Sequence, residues 1–314
     1  MVVNEQPPQR VLFTGGLGRS GSTLIEKLLN ELPPTFSVGE TIHLWERGIR
    51  DAERCGCGEP FWTCPHWSAV GQEAFGGWER VDLDRIIDLR WSVDRSRRLP
   101  AIMRAHRTGS IGKEDLQYLA HLRAVLLASA TITGADVLLE SSKHLSTAAL
   151  LSLDPTLDVR VLHLVRDPRG VAYSWTKEIA RPEAGNDLMP TYRPSRTAGR
   201  WVTDNLGFEL LGRLGVPTLT MRYEDFLEHP ATSLQRIATF AGLGQVGLPF
   251  LDRTEARLRT PMHSIAGNPL RFGGADLTLR LDDAWRTELD DRSRRIVAGI
   301  CAPALKRYGY SISA

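Results

Sequence analysis

The stretch Val11–Asn30, VLFTGGLGRSGSTLIEKLLN, decides the fold. Val11–Thr14 is a short apolar run ending at Gly15-Gly16, as a buried strand does. From Thr23 onward, Leu24, Ile25, Leu28 and Leu29 repeat at helical spacing, which predicts a helix reaching Leu32. The unit is therefore strand, glycine-rich turn, helix. Set against the nucleotide-binding pattern G-x-x-x-x-G-K-[ST], Gly16 and Gly21 keep their places, but Ser22 stands where lysine belongs, followed by Thr23. A glycine-rich turn at a helix N-terminus holds anions, because its amides point at the ligand and the helix dipole favours negative charge. Arg19 can fork two hydrogen bonds to such a group. Ser20, Gly21, Ser22 and Thr23 supply amides and hydroxyls. The lysine of an ATPase loop reaches the β- and γ-phosphates, so its absence here argues for a different anion.

Working outward, strands are expected at Phe36–Val38, Ala135–Lys143, within Asp158–Val165, and at Pro217–Phe226. Helices are expected at 195–214, Pro230–Leu243 and about Ala284–Lys306. Apolar strands alternating with helices imply an α/β fold, a central parallel sheet flanked by helices in three layers. The simplest organisation is one domain, 1–314, with residues 1–9 a flexible lead. Residues 41–130 differ in texture: they carry five of the eight tryptophans (Trp45, Trp62, Trp67, Trp78, Trp91) and three of the four cysteines. This segment reads as a mostly helical insertion. Its tryptophans are either core or the lining of an apolar substrate pocket.

Composition excludes several classes. The chain is 42% hydrophobic and 24% charged, ordinary for a soluble protein. A net charge of +2 gives no reason to expect nucleic acid as a partner. The opening MVVNEQPPQR has no signal-peptide core, and no run approaches about 18 apolar residues. A cytoplasmic protein without an integral membrane segment is expected; a homodimer stays open. Cys55, Cys57, Cys64 and His66 are four ligand types suited to zinc, but C-x-C-x6-C-x-H is not a standard finger spacing. Reduced, packing cysteines are the leading reading and no metal is expected; zinc and a disulfide stand behind it.

The strand VRVLHLV ends in Arg166-Asp167, and Ser174 follows eight residues after Arg166. Two anion sites at two strand ends fit a nucleotide phosphorylated at both ends of its ribose, bound at the edge where open α/β sheets take ligands. These motifs resemble the sulfotransferases that use PAPS (3′-phosphoadenosine 5′-phosphosulfate, leaving PAP as product). The likeness touches residues 11–31, 140–144, 158–175, 217–243 and 263–272, with features of bacterial members and of the tyrosylprotein and carbohydrate branch. It implies a P-loop-containing sulfotransferase fold. GRSGST is similar to the 5′-phosphosulfate loop, and LVRDPRGVAYSW to the 3′-phosphate motif, with Arg166 and Ser174 as its grip. HSIAGNPLRF (His263–Phe272) resembles a segment that closes over the cofactor, making Ser264, Asn268 and Arg271 candidate ligands. Tyr223 is a further cofactor candidate, and Arg196 and Arg200 are weaker ones.

The resemblance implies transfer of a sulfuryl group to a hydroxyl of a natural product, lipid or carbohydrate, with the Cys/Trp-rich insertion forming the acceptor region. Glu40, in SVGETIHLW after the second strand, matches a Gly-Glu base. His144, in SSKHL, is the alternative base. Lys143 matches a lysine that stabilises the transferring group, and Arg19 serves both binding and catalysis. Two other classes compete: an atypical P-loop kinase or NTPase, with Asp167 as its magnesium carboxylate, and a non-catalytic nucleotide-binding module.

Overall fold

The structure is a computed structural model that describes residues 7–95, 98–181, 183, 187–272 and 276–312. Residues 1–6 of the expected flexible lead lie outside these. Gln9, at its end, already opens a strand. Strands β1 (Gln9–Gly15), β2 (Thr35–Gly39), β3 (Val137–Lys143) and β4 (Leu157–Val165) are followed by a short pair, β5 (Ala180–Arg181) and β6 (Asp187–Leu188), and by β7 (Thr218–Arg222). The main sheet has the order β2-β3-β1-β4-β7. Every pairing in it is parallel. This is the expected α/β architecture.

Strand alternation sets the layers, since successive side chains point to opposite faces. Val11 and Phe13 of β1 join a core with Tyr118, Leu122 and Val125 of helix α5 (Lys113–Thr133) and Ala148 of α6 (Leu145–Leu151). Leu12, between them, joins the opposite core, with Ile25 and Leu28 of α1 (Ser22–Leu29) and Leu234 and Ile237 of α10 (Pro230–Phe240). A third cluster ties α7 (Pro168–Thr176), α8 (Pro194–Arg213) and α12 (Asp291–Arg307) through Val171, Trp201 and Val297. Each fully buried Leu, Ile or Phe adds about 1.5–3 kcal/mol. A helix cap adds about 1 kcal/mol, so these cores, not the caps, fix the sheet edge on which the site is built.

Two elements differ from expectation. The strand expected through Phe226 stops at Arg222, and Tyr223 opens α9 (Tyr223–Glu228). Glu224 and Asp225 sit in that first turn, where the helix dipole favours carboxylates. The last helix is two: α11 (Trp285–Glu288), then α12, restarted where Asp290 accepts a hydrogen bond from Ser293 N–H. Within 41–130, α2 (Pro65–Phe75), α3 (Leu83–Val93) and α4 (Leu99–Thr108) join the start of α5 and a π-helical turn at Leu44–Arg50. Among the described residues, no helix is long and apolar enough to cross a membrane.

Candidate active site

The loop after β1 takes a shape that glycine makes possible. Gly16 has φ 120° and Gly21 φ 89°. A Cβ on Gly16 would lie 2.3 Å from the Leu164 carbonyl oxygen, and one on Gly21 2.1 Å from the Tyr223 ring. Arg19 adopts φ 75° without being glycine. Such backbone strain costs on the order of 1–3 kcal/mol and gathers at ligand clamps. Helix α1 begins at Ser22 with Gly21 as its N-cap and no side-chain capping bond. Its first amides therefore face a cavity of about 1180 Å³, walled by Gly16–Arg19 and Gly21–Leu24. Ser20 is different: it is buried, and its Oγ donates to the Leu17 carbonyl at 2.7 Å, so it braces the loop from outside the cavity wall.

The second motif is tied to the first. Arg166 Nη1 donates to the Arg19 carbonyl at 3.0 Å, and Trp175 Nε1 to the Gly18 carbonyl at 2.9 Å. The Arg166 guanidinium lies 5.0 Å over the Tyr223 ring. Arg166, Ser174 and Tyr223 all line the cavity. Asp167 does not; it caps α7 and pairs with Arg169 at 2.7 Å. Asp167, the carboxylate that the NTPase reading assigned to magnesium, is thus turned away from the cavity.

Between β2 and β3 lies an ion pair. Lys143 Nζ is 2.6 Å from Glu40 Oε1 and also donates to the Ser141 carbonyl at 2.6 Å. Lys143 is itself held at φ 66°. His43 Nε2 stands 3.5 Å from Glu40 Oε2. Burial alone would raise the Glu40 carboxyl, but the Lys143 ammonium, with Arg47 beyond it, outweighs burial and holds it below the usual carboxylate range. Burial, with Arg47 and Arg90 nearby, lowers His43 despite the pull of Glu40, leaving a neutral imidazole. His144 also faces the cavity but is 41% exposed and lies 3.8 Å from Asp94. Glu40 is therefore an anionic, sheltered carboxylate, and His144 an exposed imidazole.

Sequence reasoning missed the floor under this pair. Glu26 of α1 is buried and accepts from Ser37 Oγ and from Ser141 Oγ at 2.6 Å. Glu140 of β3 accepts from Thr41 N and Oγ1 at 3.1 and 2.7 Å and from Ser142 N at 3.0 Å. Thr41 follows Glu40, and Ser141 and Ser142 precede Lys143, so the two buried carboxyls brace the backbone on either side of the Glu40–Lys143 pair. A glutamate inside the apolar run LLESSK was the available signal.

The segment 263–272 divides. Asn268 lines the cavity, and its Oδ1 accepts from Leu270 N at 2.9 Å. Ser264 is buried, donating to the Ala266 carbonyl at 2.5 Å. Arg271, 1% exposed, donates to the Gly267 and Ile265 carbonyls at 3.0 and 3.3 Å and pairs with Glu183 at 3.4 Å. Ser264 and Arg271 shape the segment from behind instead of lining the cavity. Arg196 and Arg200 do line it, from α8. Of the five insertion tryptophans, Trp45, Trp67 and Trp78 are buried core, Trp62 is exposed elsewhere, and Trp91 alone reaches the cavity wall. Around Trp91 the wall is charged: Arg47, Arg90, Asp94 and Arg95.

A phosphate loop without its lysine, a second arginine-bearing turn in the same cavity and a sheltered Glu–Lys pair define an enzyme that moves a group from an anionic donor. The chain belongs to the sulfotransferase family, whose model matches residues 12–245. It is similar to carbohydrate sulfotransferase 5 of Mus musculus, 25% identical over 93% of this chain and 78% of that protein. It is also similar to carbohydrate sulfotransferase 6 of Homo sapiens, 24% identical over the same shares. Among solved structures, the sulfotransferase domain from the curacin biosynthetic pathway aligns over 98% of this chain and 99% of that one, with 16% identity and a TM-score of 0.49. The protein is a sulfotransferase.

Proposed function

We propose that PAPS is the sulfuryl donor, that a carbohydrate hydroxyl is the acceptor, and that Glu40 is the general base. One observation carries the reading: two separate arginine- and hydroxyl-bearing turns, within Gly16–Thr23 and Arg166–Ser174, line one cavity that also holds the Glu40–Lys143 pair. The donor supplies the sulfuryl group. The uncapped amides of α1, with Arg19, hold its 5′ end; Arg166 and Ser174 hold the 3′-phosphate that ATP lacks. Glu40, already ionised, takes the proton of the acceptor hydroxyl. Lys143, close enough to leave its ion pair, offsets negative charge on the departing nucleotide. No magnesium carboxylate is needed, in keeping with Asp167 bound to Arg169.

The acceptor reading draws on the carbohydrate sulfotransferases among the relatives and on the charged wall around Trp91. Hydroxyl-rich ligands suit polar, hydrogen-bonding walls better than lipids do. Thermal shift with PAP, AMP and ATP–magnesium tests the donor: a ligand at 100 times its dissociation constant adds about 2.7 kcal/mol. Stabilisation by ATP–magnesium and not by PAP would sink the PAPS assignment. Transfer of labelled sulfate to long-chain alcohols or phenols but to no oligosaccharide would sink the acceptor assignment.

A further inference from the structure

Outside the cavity, the fold gathers three cysteines and a histidine separated by 199 residues from the nearest of them. Cys64 Sγ lies 3.6 Å from Cys55 Sγ and 3.7 Å from Cys57 Sγ. His263 Nδ1 lies 3.3 Å from Cys64 Sγ and 3.8 Å from Cys55 Sγ. All four ligand atoms fall within 4.8 Å of one another. A tetrahedral ion with zinc–sulfur and zinc–nitrogen bonds of about 2.3 and 2.05 Å sets its ligand atoms about 3.8 Å (S to S) and about 3.6 Å (S to N) apart. The four separations involving Cys64 or joining Cys55 to His263 lie close to this pattern, and Cys57 stays within 4.8 Å of Cys55 and His263. A disulfide would use two sulfurs and leave a thiol and an imidazole facing it.

We propose that Cys55, Cys57, Cys64 and His263 bind one structural zinc ion. The sequence suggested His66 as the fourth ligand; the structure puts His263 there, while His66 packs on the Phe36 ring at 4.5 Å. The local architecture fits ligation. Cys55-Gly-Cys57-Gly58 forms a tight turn in which Gly58 N–H donates to the Cys55 carbonyl at 2.8 Å, with Gly58 at φ 100°. Cys64 is the N-cap of α2, where the helix dipole favours a thiolate. His263 is held by its neighbours: Trp67 Nε1 donates to its carbonyl at 2.8 Å, and Gly56 N–H to the Ser264 carbonyl at 2.9 Å. Such outer contacts orient metal ligands. Four protein ligands leave no open position, so the ion is structural, and its binding releases the thiol protons to water. It pins the insertion to the segment whose Gly267 and Asn268 line the cavity. The site does not depend on which donor or acceptor the enzyme uses.

The test is metal content of the native chain, purified without a metal-affinity step. About one zinc per chain is expected by elemental analysis. The cobalt-loaded protein should show thiolate charge-transfer and tetrahedral d–d absorption. Cys64→Ser and His263→Ala should lose the metal, and His66→Ala should keep it. If His263→Ala does not fold, His263→Cys restores a four-ligand set and should bind cobalt with a more thiolate-rich spectrum. Native protein with only trace zinc and no cobalt bands, or with a disulfide among the three cysteines, overturns the proposal. So does loss of zinc in His66→Ala with retention in His263→Ala.

Discussion

At the residue scale, the roles proposed for Glu40 and Arg166 separate chemistry from binding. Glu40 must be ionised to accept a proton, and its carboxyl lies below the ordinary 4.5. The acid limb of kcat/KM should therefore fall below that value, activity being retained above it and lost as pH drops further. Glu40→Gln should lower kcat by about 10²- to 10⁴-fold, the usual worth of a positioned base, and leave PAP binding intact. Steady-state kinetics beside calorimetric PAP titration decides this; normal turnover in Glu40→Gln would move the base to His144. Arg166→Ala should do the reverse to binding. Losing charge-assisted bonds worth about 1.5–3 kcal/mol weakens PAP by about 10- to 100-fold. AMP, which has no 3′-phosphate, should lose much less affinity. Equal losses for PAP and AMP would mean that Arg166 only braces the loop through the Arg19 carbonyl.

At the scale of elements, the strand–turn–helix unit was legible because its signals are local: an apolar run, two glycines, helical spacing. The same holds for β4 with α7. What was not legible depends on contacts between distant segments. Arg271 reads as a phosphate ligand in sequence, yet the carbonyls of its own loop and Glu183 take up its guanidinium. His66 lies two residues from Cys64, but the chain returns His263 to the sulfurs instead. The sequence leaves the insertion tryptophans open between core and pocket lining, and three of the five fill the core. Two glycines show how element position sets the sign of one substitution. Gly21→Ala meets both a left-handed φ and the Tyr223 ring, and should cost about 1–3 kcal/mol or more. Gly199→Ala, inside α8 with nothing within 4 Å of the added Cβ, should stabilise by about 0.5–1 kcal/mol. Denaturant unfolding of both variants measures this; a Gly21→Ala protein as stable as the parent would refute the strained turn.

At the scale of the whole molecule, the parallel sheet brings the ends of all five strands to one edge: the loop after β1, Glu40 after β2, Lys143 ending β3, Arg166 after β4 and Tyr223 after β7. The cost of that convergence is a set of carboxyls buried where α1, β2 and β3 meet. Burial raises Glu26 from 4.5 to about 7, against the hydrogen bonds of Ser141 and Ser37 and the charge of Lys143. A carboxyl raised on folding favours the native state fully below about 4.5, and that contribution disappears as pH climbs through about 7. At about 1.36 kcal/mol per pH unit, it amounts to roughly 3 kcal/mol. Glu140 acts in the same direction. His43, His66 and His163, all lowered by burial, act in the opposite one, since the unfolded chain protonates them first as pH falls. The stability curve of the native protein therefore mixes opposing slopes, and the readout is the difference between it and Glu26→Gln. From pH 4.5 to above 7, the variant should gain up to roughly 3 kcal/mol relative to the native chain, followed by urea unfolding at each pH. A difference that stays flat across that window would mean that Glu26 is ionised in the fold and that the floor beneath Lys143 carries a charge.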